Sequence, residues 1–445
     1  MHNASDTQYI GPGTIVQAAL LQLPAVRTLR DRECIRADPR YAAFSGIIAV
    51  LMTNRAVFLL SLAAFASAAS LRATDTLLPQ LAAEFSVTTG SAASVVTAFA
   101  VSYGLLQAVY GPLGDRYGRY VMVCAATLAS ALGTFACAWA SSLDALILAR
   151  FAAGATVGAL IPLSMAWIGD VVVYGERQAL IARFLLGQIL GTAFGQSVAG
   201  VMAEHFGWRA IFVVLGMAYL IVGALLLLEL RRNPITRRSA GDATVTIRSG
   251  VARMAGLLAR PWVRIVVGTV FVEGMIMFGS IAFIPVHLQQ RFSIGPAAAG
   301  AMVTAYAAGG VLYALGARRF VAGLGEGGLA AGGGLVLAAG YLALVFAPVA
   351  WASLPGIALI GIGFYMLHNT LQVNATQMAP AARGSAVSLF ALCLFTGQST
   401  GVWLAGKVVD AYGTEPVFVA ASLSLALLGW GFRRWLKVHA QSARA

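Results

Sequence analysis

Arg72, Asp75, Arg150, Glu273 and His368 stand out as ionisable side chains inside long apolar runs of this chain. A charge in hydrocarbon is costly unless it faces protein or water, so each is a candidate for ion or substrate handling. Glu273 and His368 lie nine or ten residues into their runs, which at the helical rise is about 13–15 Å from one membrane face. A carboxyl and an imidazole that share a depth suit a proton-binding pair, because the imidazole changes charge near neutral pH. The structural alternative is a Glu273 that merely hydrogen-bonds a helix backbone or an amide. Asp75 and Arg150 share a shallower depth on the outer side, where an ion pair between them is expected. The competing arrangement is a local i, i+3 pair between Arg72 and Asp75. Proton coupling is accordingly assigned to Asp75, Arg150, Glu273 and His368.

Neutral polar groups accompany these charges. Tyr365, His368, Asn369, Gln372 and Thr376 recur at i, i+3, i+4, i+7 and i+11, which places them on one helix face. Gln107, Gln188, Gln196 and Gln398 add hydrogen-bonding amides, while Tyr103, Trp167, Met277 and Phe278 offer apolar contact. The expected substrate cavity is lined by Arg72, Tyr103, Gln107, Gln196, Met277, Tyr365, Asn369, Gln372 and Gln398. Such a mixed lining suits a small amphipathic organic molecule better than a bare ion, although glue between helices explains any single glutamine about as well.

The elements that must position these residues follow from composition. Of 445 residues 59% are apolar and 11% charged, against roughly a quarter charged in ordinary globular domains. The solvent is therefore lipid, and the fold class is an all-α membrane protein. Apolar runs near 56–81, 92–112, 120–141, 144–168, 180–203, 210–230, 263–288, 297–317, 328–348, 353–378, 385–408 and 414–432 are each close to the length of about 20 residues that spans a bilayer. With the N-terminus inside, 25 of the 30 Lys and Arg fall in inner segments, and Arg209, Arg291 and Lys407 fall in outer loops. That asymmetry predicts a multi-pass protein of the inner (plasma) membrane with both termini cytoplasmic. The net charge of +13 belongs to this topology and not to nucleic acid, because no polar domain gathers the cations on one face.

Residues 231–262 form the only long polar connection, a cytoplasmic linker whose cations are expected along anionic head groups. It separates a six-helix bundle at 56–230 from another at 263–432, with a cytoplasmic arm at 1–55 and a tail at 433–445. Met52 is an alternative start. An internal repeat supports the division. Arg177, Gly191, Gly195, Ala199, Gly200, Glu204, Gly207 and Phe212 match Arg383, Gly397, Gly401, Ala405, Gly406, Asp410, Gly413 and Phe418 at a constant offset of 206, and Pro79 matches Pro285. Cys34, Cys124, Cys137 and Cys393 lack metal-ligand spacing and read as packing residues. Neither a phosphate loop nor a zinc motif occurs, so no cofactor and no enzymatic activity are expected, and the two-bundle plan lets a monomer function with a small-molecule substrate, protons and the lipid bilayer as partners.

After the second run stands Gly111-Pro112-Leu113-Gly114-Asp115-Arg116-Tyr117-Gly118-Arg119. This resembles the GxLxDRxGR signature of the major facilitator superfamily. The resemblance implies twelve transmembrane helices in two pseudo-symmetric six-helix bundles. It also implies a cytoplasmic gate at Gly111, Gly114, Asp115, Arg116, Gly118 and Arg119, in which Asp115 touches the other half and latches that side. Arg150 to Gly154 resembles the family's RxxxG motif, which is associated with proton coupling. Gly187 to Gly200 resembles the glycine-rich fifth-helix motif of drug:proton antiporters, but Gln196 stands where that motif has proline and Ala199 where it has glycine. Together with GFYMLHNTLQVNATQMAP at 363–380, the chain is similar over about 56–435 to bacterial exporters of the acriflavine-sensitivity type. The implied activity is proton-coupled efflux by alternating access; a proton-coupled importer or sugar exporter of the same fold is the alternative, and a transporter-like receptor a more distant one.

Overall fold

The structure, a computed structural model, describes residues 39–172, 174–237 and 246–442, with side chains from residue 51 onward except those of residues 174–176, 178, 179, 182, 381 and 442. Most of the expected N-terminal arm, residues 238–245 of the linker and the last three residues of the tail lie outside the described residues. Among the described residues, ten helices are long and apolar enough to cross a bilayer, and a pair bent by 47°, Thr89–Leu105 with Gln107–Tyr117, supplies another. One of the ten, Pro296–Val345, runs for 50 residues. Straight, it would reach about 75 Å, far beyond a hydrocarbon core of about 30 Å. It breaks at Gly325, whose φ of 62° and ψ of 176° suit glycine alone. That helix therefore holds two spans, and the described chain has twelve.

We label these α1 (Leu51–Glu84), α2 (the bent pair), α3 (Arg119–Ala138), α4 (Leu143–Val171), α5 (Tyr174–Phe206), α6 (Arg209–Arg232), α7 (Pro261–Phe292), α8 (296–324), α9 (326–345), α10 (Ala350–Gln377), α11 (Arg383–Tyr412) and α12 (Glu415–Gln441). Twelve crossings return the chain to the side it started from, so one surface, here the terminal face, carries the beginning of α1, the linker and the end of α12. The opposite surface is the far face. One apolar core lies within α1–α6 and another is built from α7–α12. A third mixes Ala69, Leu77 and Phe212 of the first bundle with Phe283, Val402 and Val409 of the second, and it lies toward the far face.

Between helices in lipid no hydrophobic force acts, so small residues that let backbones approach decide the packing. A Cβ added to Gly191 or Gly195 on α5 would fall 2.2 or 2.3 Å from the carbonyl oxygens of Phe65 and Ala69 on α1. In the second bundle, a Cβ on Gly397 or Gly401 of α11 would fall 2.1 or 1.8 Å from those of Phe271 and Met275 on α7. All four pairs obey the offset of 206: equivalent glycines seat equivalent carbonyls. The repeat therefore specifies contacts as well as resemblance between the halves.

The DRxGR segment is not a loop. Helix Gln107–Tyr117 runs through Pro112 and takes in Asp115–Tyr117, and only Gly118, with φ 93° and ψ 127°, turns the chain into α3 at Arg119. Gly114 is needed for a different reason, since a Cβ there would stand 2.6 Å from Leu163 of α4. In the linker, helix Ile247–Leu257 begins with a capping box formed by Thr246 and Ser249 and seats Gly250 against Pro112.

Candidate functional site: a charged centre between the two halves

α1 is not straight. Its helix runs to Arg72, gives way to a 3₁₀ turn at Asp75–Leu77, and resumes at Leu78. Within this break Arg72 donates to Asp75 at 3.1 Å, with the two side chains 3% and 0% exposed. The expected Asp75–Arg150 ion pair is not formed. Ser70 and Thr74 share one face of α1 and meet Arg150, whereas Arg72 and Asp75 project from another. The Arg150 guanidinium instead donates to the Ser70 carbonyl at 3.2 Å, the Thr74 hydroxyl at 3.3 Å and the Val95 carbonyl at 3.4 Å, and lies 4.0 Å from the Phe99 ring centroid. Arg150 thus braces the last turn of α1 before its break and the start of the break itself, and ties them to α2.

α7 is also interrupted. Its α-helix ends at Glu273, and Gly274–Phe278 winds as a π-helix, a local widening often found at functional sites. Glu273, fully buried, accepts a hydrogen bond from, or donates one to, Nδ1 of His368 at 2.9 Å. The pair inferred from depth alone is therefore in contact. The His368 ring stacks on Phe364 at 4.8 Å, and Phe364 meets Phe278 edge-on at 5.5 Å. Phe278 lies beneath Arg72, whose guanidinium carbon is 4.6 Å from the ring centroid. A continuous series of contacts, Asp75–Arg72–Phe278–Phe364–His368–Glu273, therefore joins the carboxylate of one half to that of the other.

Arg72 and Phe278 are themselves 206 positions apart. Two residues related by a pseudo-two-fold axis touch only where the axis passes between them, so this contact lies on the line that relates the two halves. One oxygen of each carboxylate, Oδ1 of Asp75 and Oε1 of Glu273, is buried without a hydrogen-bond partner, as are both amide atoms of Gln398. Gln398 is fully buried on α11, with its backbone nitrogen beside Gly274. Unsatisfied buried groups of this kind are costly in a closed core and natural where a polar guest enters.

The remaining candidates divide. On α10 the stripe runs from partly buried Tyr365, His368 and Asn369 to exposed Gln372 and Thr376, so its exposure grows toward the terminal face. Tyr365 packs against Gly310 of α8 and Tyr306. Tyr103 packs at a tilt of 41° against Phe395 of the other half, with centroids 4.2 Å apart. Gln107 departs from the cavity expectation. It is 3% exposed, and its amide donates to the carbonyls of Gly158 and Tyr103 at 3.0 and 3.4 Å, clamping the α2 bend. Met277 departs as well: it is fully buried and turns into the second bundle's core, 3.5 Å from the Tyr341 hydroxyl. Gln196, 1% exposed, has its side chain beside Asp75, while its backbone carbonyl packs on Gly300 and accepts from the Thr76 hydroxyl at 3.4 Å.

The two ends of the interface are unlike. At the far face, hydrogen bonds join the halves: Gln289 to the Thr76 carbonyl, Asp410 to Gly90 and Thr88, and Glu204 to Ala297. At the terminal face the expected latch is disengaged. Asp115 pairs with Arg119 of its own half at 2.9 Å, and Arg119 also bonds Asp170 of α4 at 2.6 Å. Gly111 meets nothing within 4 Å of an added Cβ, and Arg116 is exposed. The far face is thus sealed by bonds between the halves, whereas Asp115 makes its ion pair within its own half at the terminal face. Sequence reasoning overlooked two ionisable groups in the spans. His287, 1% exposed, bonds Thr414 through Nδ1 at 2.7 Å. Glu229, 2% exposed, pairs with Arg55 at 3.0 Å. The same search for ionisable residues in apolar runs finds both.

The family model described as Major Facilitator Superfamily matches residues 60–402. The uncharacterized MFS-type transporter YceJ of Bacillus subtilis (strain 168) is 28% identical over 361 residues, covering 79% of this chain and 89% of that protein. The 4-hydroxybenzoate transporter PcaK of Acinetobacter baylyi is 28% identical over 177 residues, 40% of this chain and 39% of that protein. Among solved structures, a bacterial homolog to the human lysosomal transporter Spinster, in an inward-facing and unoccupied conformation, superposes with a TM-score of 0.66 at 17% identity, covering 86% of this chain and 97% of that one. A mutant of the peptide transporter POT gives 0.68 at 15% identity, with 84% and 92% covered.

Proposed function

The chain belongs to the Major Facilitator Superfamily, and from that premise we propose that this transporter exports a small amphipathic organic compound in exchange for protons by alternating access. The Lys and Arg bias supports a cytoplasmic terminal face, and with it an inner (plasma) membrane protein that is sealed on its outer side in the state described. The bundles run over 56–230 and 263–432 and the linker over 231–262, and one chain suffices for function.

One observation carries this reading: a protonatable pair, Glu273 with His368, sits in contact with the central aromatic and charged path that also holds Arg72 and Asp75. Substrate and proton can then influence each other through the same side chains. Coupling requires only that protonation change the relative affinity or stability of the two access states. Phe278, Phe364, Tyr365 and Tyr306 supply aromatic surface, while Gln398 and the two unpartnered carboxylate oxygens supply polar contacts. A lining of that kind fits a molecule with a ring and a polar substituent. The name of PcaK, a 4-hydroxybenzoate transporter, points to the same class. In this scheme Arg150 positions the broken segment of α1, and the coupling residues are Glu273, His368 and Asp75.

Flux in proteoliposomes tests the proposal. An imposed pH gradient should drive counterflow of one or more members of a panel of aromatic acids, cationic dyes, sugars and amino acids. Glu273→Gln should still exchange substrate across the membrane but should lose its response to the gradient. Full gradient dependence in that variant would refute the coupling role, and import accompanied by proton entry would overturn the export direction.

A further inference from the structure

The repeat singles out two carboxylates that the central site does not use. Glu204 ends α5 and Asp410 ends α11, 206 positions apart, and both are exposed at the far face. Oδ1 of Asp410 accepts from the Gly90 backbone N–H at 2.7 Å, and Oδ2 accepts from the Thr88 hydroxyl at 2.7 Å, at the start of α2 in the opposite half. Oε2 of Glu204 accepts from the Ala297 N–H at 3.0 Å, at the start of α8 in its own opposite half. Gly90 is the repeat equivalent of Pro296, so the two contacts are near-copies of each other. Each places an anion on the free N–H groups and positive end of a helix.

Glycines make both approaches close. A Cβ on Gly200 would stand 2.2 Å from the Pro296 carbonyl oxygen, and one on Gly90 would stand 2.2 Å from that of Gly406. Opening the far face has to separate α5 from α8 and α2 from α11, and so has to break both carboxylate contacts. The DRxGR acid has no such partner in this state, since Asp115 is paired within its own half.

We propose that Glu204 and Asp410 are paired positioning residues, clasps that cap a helix of the opposite half and set the balance between the two access states. The inference rests on alternating access and on neither the substrate nor proton coupling. The test is therefore made without substrate or gradient. Spin labels at Ser141→Cys and Val349→Cys, on exposed far-face loops of the two halves, report the far-face distance in the full chain in lipid nanodiscs, with the native cysteines replaced.

Glu204→Ala and Asp410→Ala, which leave no acceptor for the opposite helix, should each raise the open-to-closed ratio, by roughly 2- to 30-fold from the usual range for a cap lost to alanine. The double variant should approach the product of the two effects. The exchange Glu204→Asp with Asp410→Glu, which keeps both charges, should return the distribution toward wild type. Thr88→Val removes one bond of Asp410 and leaves its carboxylate on Gly90, and Thr88→Ser, which keeps the hydroxyl that caps the Ser91 N–H, is its control; the valine variant should give a smaller shift and serves if the other variants fold poorly. Distance distributions that match wild type in the neutral variants, with only thermal stability reduced, would overturn the proposal and leave the carboxylates as local helix caps.

Discussion

Gly401→Ala gives the sharpest test of how the second bundle is held together. The added Cβ would lie 1.8 Å from the Met275 carbonyl oxygen and 2.6 Å from its carbon. Real Cβ atoms keep about 3.0 Å, so α7 and α11 have to separate by about 1.2 Å. The obstructing atoms are backbone, inside the π-turn that links Glu273 to Phe278, and no side-chain rotation relieves them. Two effects oppose each other. Replacing glycine by alanine in a helix stabilises by about 0.5–1 kcal/mol, whereas overpacking a tight contact costs about 1–3 kcal/mol. With a backbone obstacle the cost falls at the upper end, so the net change is destabilising by about 2–2.5 kcal/mol. Gly268→Ala, six residues before the same turn and with nothing within 4 Å, supplies the control and should be neutral or slightly stabilising. Thermal unfolding of the purified protein should therefore separate the two variants by several degrees. Gly401→Ala should also slow transport, because the displaced segment carries Phe278 and adjoins Glu273. Equal unfolding temperatures and equal flux in the two variants would refute the close approach as drawn.

Further outcomes follow from other contacts. Arg72→Gln should leave Asp75 buried without its cation and nearly abolish transport, and a double-mutant cycle of Arg72→Gln with Phe278→Leu should show a coupling of about 0.5–2 kcal/mol if the cation lies over the ring. His368→Ala should reduce gradient-driven flux far more than Asn369→Ala, since only His368 contacts Glu273; equal losses in a flux assay would count against the pair. Asp170→Asn should change stability by less than about 1 kcal/mol, as its contact with Arg119 is half exposed, and calorimetry in detergent checks this. Gly118→Ala should lower the unfolding temperature although its Cβ would make only ordinary contact with Val121 at 3.6 Å, because its φ of 93° lies outside the region L-residues favour.

The sequence by itself determined the solvent, the number of crossings and the duplicated plan. Burying a helix in lipid demands about 20 apolar residues, and the demand is local, so it is written continuously along the chain. The shared depth of Glu273 and His368 was legible for the same reason, since depth is a count of residues along a helix of known rise. The tertiary structure alone decided which group each charge meets. A helix that is apolar on all sides carries little signal of which face turns inward, and rotation about its axis separates the partner chosen from the partner missed. That is why Asp75 meets Arg72 while Arg150 braces Ser70 and Thr74, and why Met277 enters a core while Phe278, one residue on, meets Arg72. The break at Asp75–Leu77, the π-turn at Gly274–Phe278 and the bend after Leu105 arise where helices from distant parts of the chain press together. Each one resets the facing of every residue beyond it, and no periodicity within a single run encodes that adjustment.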